Sequence, residues 1–525
     1  DAYTGLPDIN VVVFPACHGA VSRDTGGAMN IMTLQIVACR TTVSAAGDRC
    51  REARRQTPAK REPMKRHDLI VIGAGPDRDL PSFPAPHPGV LDRLIDAHKA
   101  LGGTCLRIGC IPSKALLESS ARYRAATSQL AEHGINVGEV TLDLPAMLKR
   151  KDRIVKTLTG GVASLMKKHD ITTYHGYAQL AGDRRVRITG EGDDDIELQA
   201  EHIIIATGSR PADLPGVERD DDRIGTSTQA LAYDQVPERL VVIGGGYIGV
   251  EMGSVWQRLG AQVTVLETLD RILPNVDEDI ASEAKRLFEK QGLTFRLGSR
   301  VTGARIEDDH CVVEVEDAEP IECDRVLVAV GRAPVTDGLG LDEVGVETDE
   351  KGFVKVDDAF ATSVEGVYAI GDVIGGMMLA HKASAEAVAC VEMLADGTGQ
   401  VNYGAIPAVI FTEPEIAWVG PTEAQLESQE TDYVKGEFSF RASGRARALG
   451  RLDGRVKLLC DADTDRLLAV HMIGPHVGEL IAQAVAAIEF GASSEDLARL
   501  CQAHPTLAEA VKEAALAVHD RPLHA

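Results

Sequence analysis

From His67 onward, apolar residues fall in short unbroken runs that end on glycine, with helically spaced stretches between them. Leu69-Ile-Val-Ile72 runs into Gly73-Ala-Gly75, and Leu240-Val-Val-Ile243 runs into Gly244-Gly-Gly246. Alternating strand and helix with glycine-rich turns predicts parallel sheets of the doubly wound kind. The repetition implies two nucleotide-binding units in one polypeptide. Ala206-Thr-Gly208-Ser-Arg-Pro211 has a weaker echo in Ala329-Val-Gly331-Arg-Ala-Pro334. After about residue 401 the glycine turns thin out. There the runs Val456 to Leu459 and Leu467 to Met472, with the amphipathic stretch Leu480 to Phe490, predict an α+β domain offering a helix for dimerisation. The expected fold class is therefore α/β, with two Rossmann-like nucleotide-binding domains and a C-terminal α+β dimerisation domain. The expected boundaries are 64–215 for the first domain, 216–334 for the second, a return to the first over 335–400, and 401–525 for the last.

Composition narrows the possibilities. A chain of 525 residues exceeds what one hydrophobic core organises. No apolar run approaches the roughly 18 residues that span a bilayer, which argues against a membrane protein. A net charge of -24 repels nucleic acid and anionic lipid, so bound phosphate must be held by backbone amides and helix ends. The first 63 residues lack periodicity, and Arg40 to Arg66 is basic, unlike the acidic body. As a targeting peptide this extension would direct the chain to an organellar matrix. Met64 reads more simply as a natural start, with the upstream stretch outside the fold and the chain cytoplasmic. Ten cysteines are too few for a secreted disulfide scaffold, where they exceed about 8% of the chain, and point to a reducing compartment.

The second glycine turn has all the parts of a dinucleotide site. A strand Arg239 to Ile243 leads to Gly244-x-Gly246-x-x-Gly249, then a helix to Leu259 stopped by Gly260, then a strand Gln262 to Leu266 ending on Glu267. Gly244 permits the tight turn, Gly246 lets amides approach a pyrophosphate, and Gly249 allows close helix–strand contact. Glu267, 23 positions after Gly244, would accept hydrogen bonds from a ribose 2'-hydroxyl and repel a 2'-phosphate, favouring NAD over NADP.

Cys105 and Cys110 stand alone by spacing, in Gly102-Gly103-Thr104-Cys105-Leu-Arg-Ile-Gly109-Cys110-Ile-Pro112-Ser-Lys114. On a regular helix their Cα atoms would be about 8.6 Å apart, beyond the roughly 7 Å limit for a disulfide. Gly109 and Pro112 fit an irregular helix entry that brings the sulfurs together as a cycling redox pair. Two reduced buried cysteines or half a metal site are the alternatives. No second cysteine pair with ligand spacing completes a zinc shell, so no metal is expected. The other eight cysteines read as inert packing residues. Thiol exchange also needs a base. His504, before Pro505, with Glu509 on the following helical turn to orient the ring, is the strongest among 15 histidines.

With GGTCLRIGCIPSK from Gly102, ATGSRP from Ala206, GGGYIGVEMG from Gly244, YAIGD ending at Asp372, MLAHKA from Met378, FTEPEIAWVG from Phe411 and HPTLAE from His504, the chain from His67 resembles the dihydrolipoamide dehydrogenases of the pyridine nucleotide-disulfide oxidoreductase family. The resemblance implies FAD and NAD as cofactors, with FAD in the 64–215 domain and NAD in the 216–334 domain. It further implies oxidation of dihydrolipoamide with reduction of NAD. The partners would be a second copy of the chain and the lipoyl domain of a 2-oxoacid dehydrogenase acyltransferase. Cys105 would meet substrate, Cys110 would face the flavin, and His504 with Glu509 would form the acid–base pair. Lys114 and Glu251 would pair near the flavin and nicotinamide, and Asp372 would hold the ribityl chain. Gly73, Gly75, Asp96, Gly103, Thr104, Thr207, Gly208, Gly331, Met378, Leu379, Ala380 and His381 complete the implied cofactor contacts. Another disulfide reductase of the family, or a flavin-deficient dimer of the same fold, are the alternatives. A C-terminal cysteine pair, as in mercuric reductase, is missing, and Glu267 is followed by Thr268, Leu269 and Asp270 rather than by arginines for a 2'-phosphate, as in glutathione reductase. Val335 stands where the family commonly carries Asn.

The first glycine turn departs from this pattern. Residues 77–92 read DRDLPSFPAPHPGVLD, with Arg78 at the third-glycine position and Pro81, Pro84, Pro86 and Pro88 inside the required helix. At about 3 kcal/mol for each interior proline, no regular helix is expected. Yet Gly73 to Asp96 spans the same 23 residues as Gly244 to Glu267. Preserved length with altered residues suggests a compensated reading-frame shift, in which case another frame should encode a glycine-containing apolar helix.

Overall fold

The computed structural model describes residues 66–75, 91–190 and 195–524. In its first sheet, successive side chains enter opposite cores. Ile70, Ile72, Ile95, Ile203 and Ile205 face one, while Leu69, Val71, Leu94 and Ile204 face the other. Burial on both faces explains why these strands are continuous aliphatic runs. The sheet runs Thr172–His175, Leu91–Asp96, Arg66–Ile72, Ile196–Ile205, Arg185–Thr189, Tyr177–Leu180, with Val367–Ala369 returning parallel to Ile203, Ile204 and Ile205.

A second, wholly parallel sheet is ordered Thr294–Arg296, Gln262–Leu266, Arg239–Ile243, Arg325–Val328, Ile224–Gly225. Behind it the antiparallel strands Val301–Glu307, His310–Val315 and Ile321–Cys323 share a core with Val241, Ile243 and Leu266. The two sheets repeat one hydrogen-bond skeleton. Gly73 N–H donates to Ile95 O and Gly244 N–H to Leu266 O, each at 2.8 Å. Ala206 N–H donates to Ile72 O and Ala329 N–H to Ile243 O, again each at 2.8 Å. The two echo segments pair with one another, Ser209–Pro211 antiparallel to Arg332–Pro334.

The C-terminal part is an antiparallel sheet ordered Ala408–Ile410, Glu415–Val419, Leu467–Gly474, Arg455–Asp461, Tyr433–Ser439. The helices Val477–Glu489 and Glu509–Ala517 pack on it. A buried clasp joins this sheet to the second nucleotide unit. The Lys457 ammonium, fully buried, donates to Asp277, to Asp279 at 2.8 Å and to Glu423 at 2.6 Å. Burial alone would raise the Asp277 carboxyl, but hydrogen bonds with Asp279, Glu423 N–H and Lys457 bring it down to about 2. These three carboxylates have the spacing of a metal site, and the ammonium fills it. Among the described residues, no helix is long and apolar enough to cross a membrane.

Candidate active site

Two helices, Gly103–Ile108 and Cys110–Arg124, meet at Gly109, whose φ of -136° and ψ of -112° break the helical path. The break draws the Cα atoms of Cys105 and Cys110 to 4.6 Å, and the two form a disulfide. A Cβ at position 109 would fall 2.9 Å from Thr104 O, so the close approach of the two helix ends depends on glycine. Cys110 is the first residue of the longer helix, which begins without a side-chain cap. Its free amides and dipole favour a thiolate once the disulfide opens.

One turn later Lys114 Nζ donates to both oxygens of Glu251, at 3.0 and 2.8 Å. Glu251 is buried on the helix Tyr247–Leu259, and its Oε1 also accepts Phe411 N–H at 2.8 Å. Lys114 Nζ lies 4.8 Å from the centre of the Phe411 ring. A single carboxylate thus joins the disulfide helix, the helix after the second glycine turn and the C-terminal sheet. Breaking such a pair would strand a buried charge.

The glycines of the second turn each show their constraint. Gly244 has φ +109°, and a Cβ there would sit 2.3 Å from Ala329 O. At Gly249 it would sit 2.1 Å from Gly244 O, whereas at Gly246 it meets nothing within 4 Å. Gly246 is therefore open to a ligand. Glu267 closes the strand and accepts Gly245 N–H at 2.7 Å and Leu269 N–H at 2.9 Å. Gly331, with φ +130°, also faces open space.

The first turn repeats this: Gly73 has φ +107°, and its Cβ would meet Ala206 O at 2.2 Å. A Cβ on Gly103 would lie 2.6 Å from Gly75 Cα, so the start of the disulfide helix rests on this turn, with Thr104 next along it. Asp96 is buried at the end of its strand and accepts His98 N–H at 2.7 Å. Thr207 Oγ1 donates to Val335 O at 2.6 Å, and Gly208 is open. Asp372 accepts the Ser209 hydroxyl. Met378 and Leu379 precede the helix that Ala380 and His381 begin, and His381 Nε2 lies 2.6 Å from Pro407 O.

Several polar residues escaped the sequence reading. Arg332 Nε donates to Ser209 Oγ and Arg332 Nη2 to Ser209 O, both at 2.7 Å, fixing the hydroxyl that Asp372 accepts. Their places in the two echo segments were the available signal. Lys382 and Glu386, both buried, pair at 2.9 Å, and Glu386 accepts Gly371 N–H at 2.8 Å, clamping the turn that carries Asp372. From sequence this is an ordinary i, i+4 surface pair.

His504 precedes a cis peptide bond to Pro505. Its Nδ1 is 2.9 Å from Glu509 Oε1, while Glu509 Oε2 accepts Thr506 N–H at 2.9 Å. Burial pushes the Glu509 carboxyl up, but the hydrogen bonds from His504 and Thr506 outweigh it and hold it below the usual range. The imidazole is 79% exposed. Among the described residues, no hydrogen bond within the chain connects it to the disulfide.

The expectation of eight inert cysteines needs two corrections. Cys311, Cys323, Cys390 and Cys460 are buried, but Cys501 is exposed, because its place between Leu500 and Gln502 lies outside helix and strand. A second facing pair also exists: Cys311 and Cys323 are direct cross-strand partners, brought together by a hairpin that linear spacing conceals. Cys17, Cys39 and Cys50, the 1–63 extension and residues 77–90 of the altered stretch lie outside the described residues.

The helices that start at Gly103, Tyr247 and Ala380 have no side-chain cap. Those starting at Leu144, Ser227, Glu423 and Ser494 do. At the second turn the uncapped helix start lies beside the open Gly246, as a dinucleotide phosphate requires, and at the first the uncapped start at Gly103 packs closely on Gly75, so the residues present fit NAD at the second turn and FAD at the first. Residues 67–387 match the pyridine nucleotide-disulphide oxidoreductase family, and residues 406–515 match its dimerisation domain. The chain belongs to this family. It is 46% identical to a mitochondrial dihydrolipoyl dehydrogenase of Pisum sativum, over 87% of this chain and 92% of that protein. It is 45% identical to a dihydrolipoyl dehydrogenase of Cupriavidus necator, over 88% of this chain and 99% of that one. The solved structure of LpdA from Mycobacterium tuberculosis superposes with a TM-score of 0.80 at 26% identity, covering 85% of this chain and 99% of that one. The dimerisation domain over residues 406–515 supports a homodimer.

Proposed function

We propose that this protein is a dihydrolipoyl dehydrogenase, oxidising dihydrolipoamide to lipoamide and reducing NAD through the Cys105–Cys110 disulfide. The observation that carries this reading is the continuous path from that disulfide, through Lys114 and Glu251, to the helix behind the Gly244 turn. Identity of about 45% to named dihydrolipoyl dehydrogenases supports the substrate. FAD held by Gly73, Gly75, Asp96 and Asp372 would supply two-electron redox chemistry between the dithiol centre and NAD.

The residues of the chain act around that transfer. Cys105 exchanges with the substrate dithiol, and Cys110 holds the resulting thiolate at its helix start. The partner subunit's His504, its ring oriented by Glu509, takes the thiol proton. This arrangement is consistent with an imidazole that is exposed and unlinked to its own disulfide. Glu251 would hold Lys114 in place beside the flavin, Asp372 would hold a ribityl hydroxyl, and Glu267 would select the unphosphorylated ribose. The lipoyl domain of a 2-oxoacid dehydrogenase acyltransferase is the physiological dithiol carrier. The compartment is that of the complex served: cytoplasm, or the matrix if residues 1–63 act as a targeting peptide.

The test is an assay of the purified dimer with dihydrolipoamide and NAD, beside glutathione disulfide and NADPH. NADH formation in the first and no turnover in the second are expected. The reverse result would assign another disulfide substrate.

A further inference from the structure

Cys311 and Cys323 lie opposite one another on adjacent antiparallel strands, His310–Val315 and Ile321–Cys323. Cα atoms of directly opposed residues in such a pair are about 4.5 to 5.5 Å apart, inside the roughly 4.4 to 6.8 Å range of a disulfide. Both thiols are fully buried, and Cys311 Sγ donates to Asp324 O at 3.7 Å. Asp324 in turn accepts Arg239 N–H at 2.7 Å, at the start of the strand that ends in the Gly244 turn.

The surroundings lower the Cys311 thiol from its ordinary value. Hydrogen bonding with Cys323 is the largest influence lowering its thiol, and the Arg223 and Arg325 cations act the same way against burial and Asp220. Arg325 stacks 4.7 Å from the centre of the Tyr233 ring and pairs with Asp222. Arg223 Nη1 is buried with no hydrogen-bond partner among the described residues. Cys323 ends an edge strand of three residues, Ile321–Cys323, joined to the strand of Cys311 by the exposed hairpin residues Asp317, Ala318, Glu319 and Pro320. Short edge strands open locally at low cost, which admits a small oxidant while excluding bulky disulfides.

We propose that Cys311 and Cys323 form a second, reversible disulfide, separate from the Cys105–Cys110 centre and made by hydrogen peroxide. The Cys311 thiolate attacks a peroxide oxygen, the O–O bond breaks and, with one proton, a water leaves, giving a sulfenic acid. The Cys323 sulfur attacks the sulfenic sulfur, the S–O bond breaks and a second water leaves with the Cys323 proton. Two thiols are oxidised by two electrons, and one peroxide becomes two waters. A small dithiol reverses the bond by exchange.

Trypsin reads this directly, because no Lys or Arg lies between Arg305 and Arg325 and both cysteines fall in one peptide. Holoenzyme is treated with hydrogen peroxide, denatured with iodoacetamide, digested and weighed. The expected peptide 306–325 lacks both alkyl groups and is lighter by two hydrogens. Dithiothreitol before alkylation restores both groups. C311S should keep dihydrolipoamide oxidation and show Cys323 without the two-hydrogen loss. Recovery of the wild-type peptide doubly alkylated after peroxide, or with sulfonic acid on either sulfur and no crosslink, would overturn the proposal.

Discussion

The two nucleotide-binding units share a skeleton and differ in what is attached to it. In both, the first glycine donates to the end of the next strand in sequence, and the residue following the sheet neighbour on the other side donates to the strand before the glycine, at matching 2.8 Å distances. The second unit follows its glycine turn with an uninterrupted helix, Tyr247–Leu259. The first has four prolines in the corresponding stretch, yet its strand Leu91–Asp96 pairs in parallel with Arg66–Ile72. The sheet skeleton therefore depends on the aliphatic runs and on Gly73, and tolerates change in the crossover. The difference in role is as sharp: the first unit leads into the disulfide, while the second is clasped to the dimerisation sheet through Lys457.

Four substitutions and one segment exchange test this division. C105S should abolish dihydrolipoamide oxidation, since the exchanging sulfur is gone, while NADH oxidation by an artificial electron acceptor persists. Equal loss of both activities would show that the two units fail together. K457M leaves Asp277, Asp279 and Glu423 without their cation and should cost about 3–5 kcal/mol in denaturant unfolding. The same clasp sets an acid limit. The Asp277 carboxyl is depressed in the fold, from 3.8 to about 2, so its contribution is complete above pH 4 and is lost as pH falls through 2. An acid unfolding curve identical in K457M and wild type would contradict it.

H504Q should slow dithiol oxidation roughly 100-fold, the range for a lost general base, with NAD affinity in the second unit untouched. Unchanged turnover would remove His504 from the chemistry. E267A should raise KM for NAD about ten-fold, as expected for one hydrogen bond to a charged group, and leave NADP unaffected. Parallel losses for the two cofactors would refute the ribose role. The smallest change expected is from an equal-length, proline-free exchange of residues 77–92 with glycine at position 78. It should raise flavin per chain without altering NAD binding. Full flavin in the original chain would show that the turn itself suffices.

Local signals made much of this visible in the sequence. The boundaries of the helix Tyr247–Leu259 and of both flanking strands follow from glycines and an aliphatic period, all within thirty residues. The disulfide helix was equally legible, since Gly109 and Pro112 announced a break that regular geometry required. What stayed hidden depends on distant segments meeting. Ser209 and Arg332 meet only because the echo strands pair, Lys457 finds its carboxylates across 180 residues, and Cys311 meets Cys323 only once the hairpin closes. For the buried charges, a lysine or glutamate looks solvated until tertiary structure supplies its partner.

The pairing of Ser209–Pro211 with Arg332–Pro334 has an architectural consequence. The chain leaves the first sheet at Ile205 and returns to it at Val367, so the segment carrying the second unit is an insertion whose entry and exit are stitched side by side. An insert with adjoining ends does not require its host to be prised apart, which is the condition under which domain insertion is tolerated. The two-stranded ribbon, three residues long, acts as a stem. Through it the second unit can lengthen, swap or diverge in cofactor preference while the flavin-side sheet keeps its strand order.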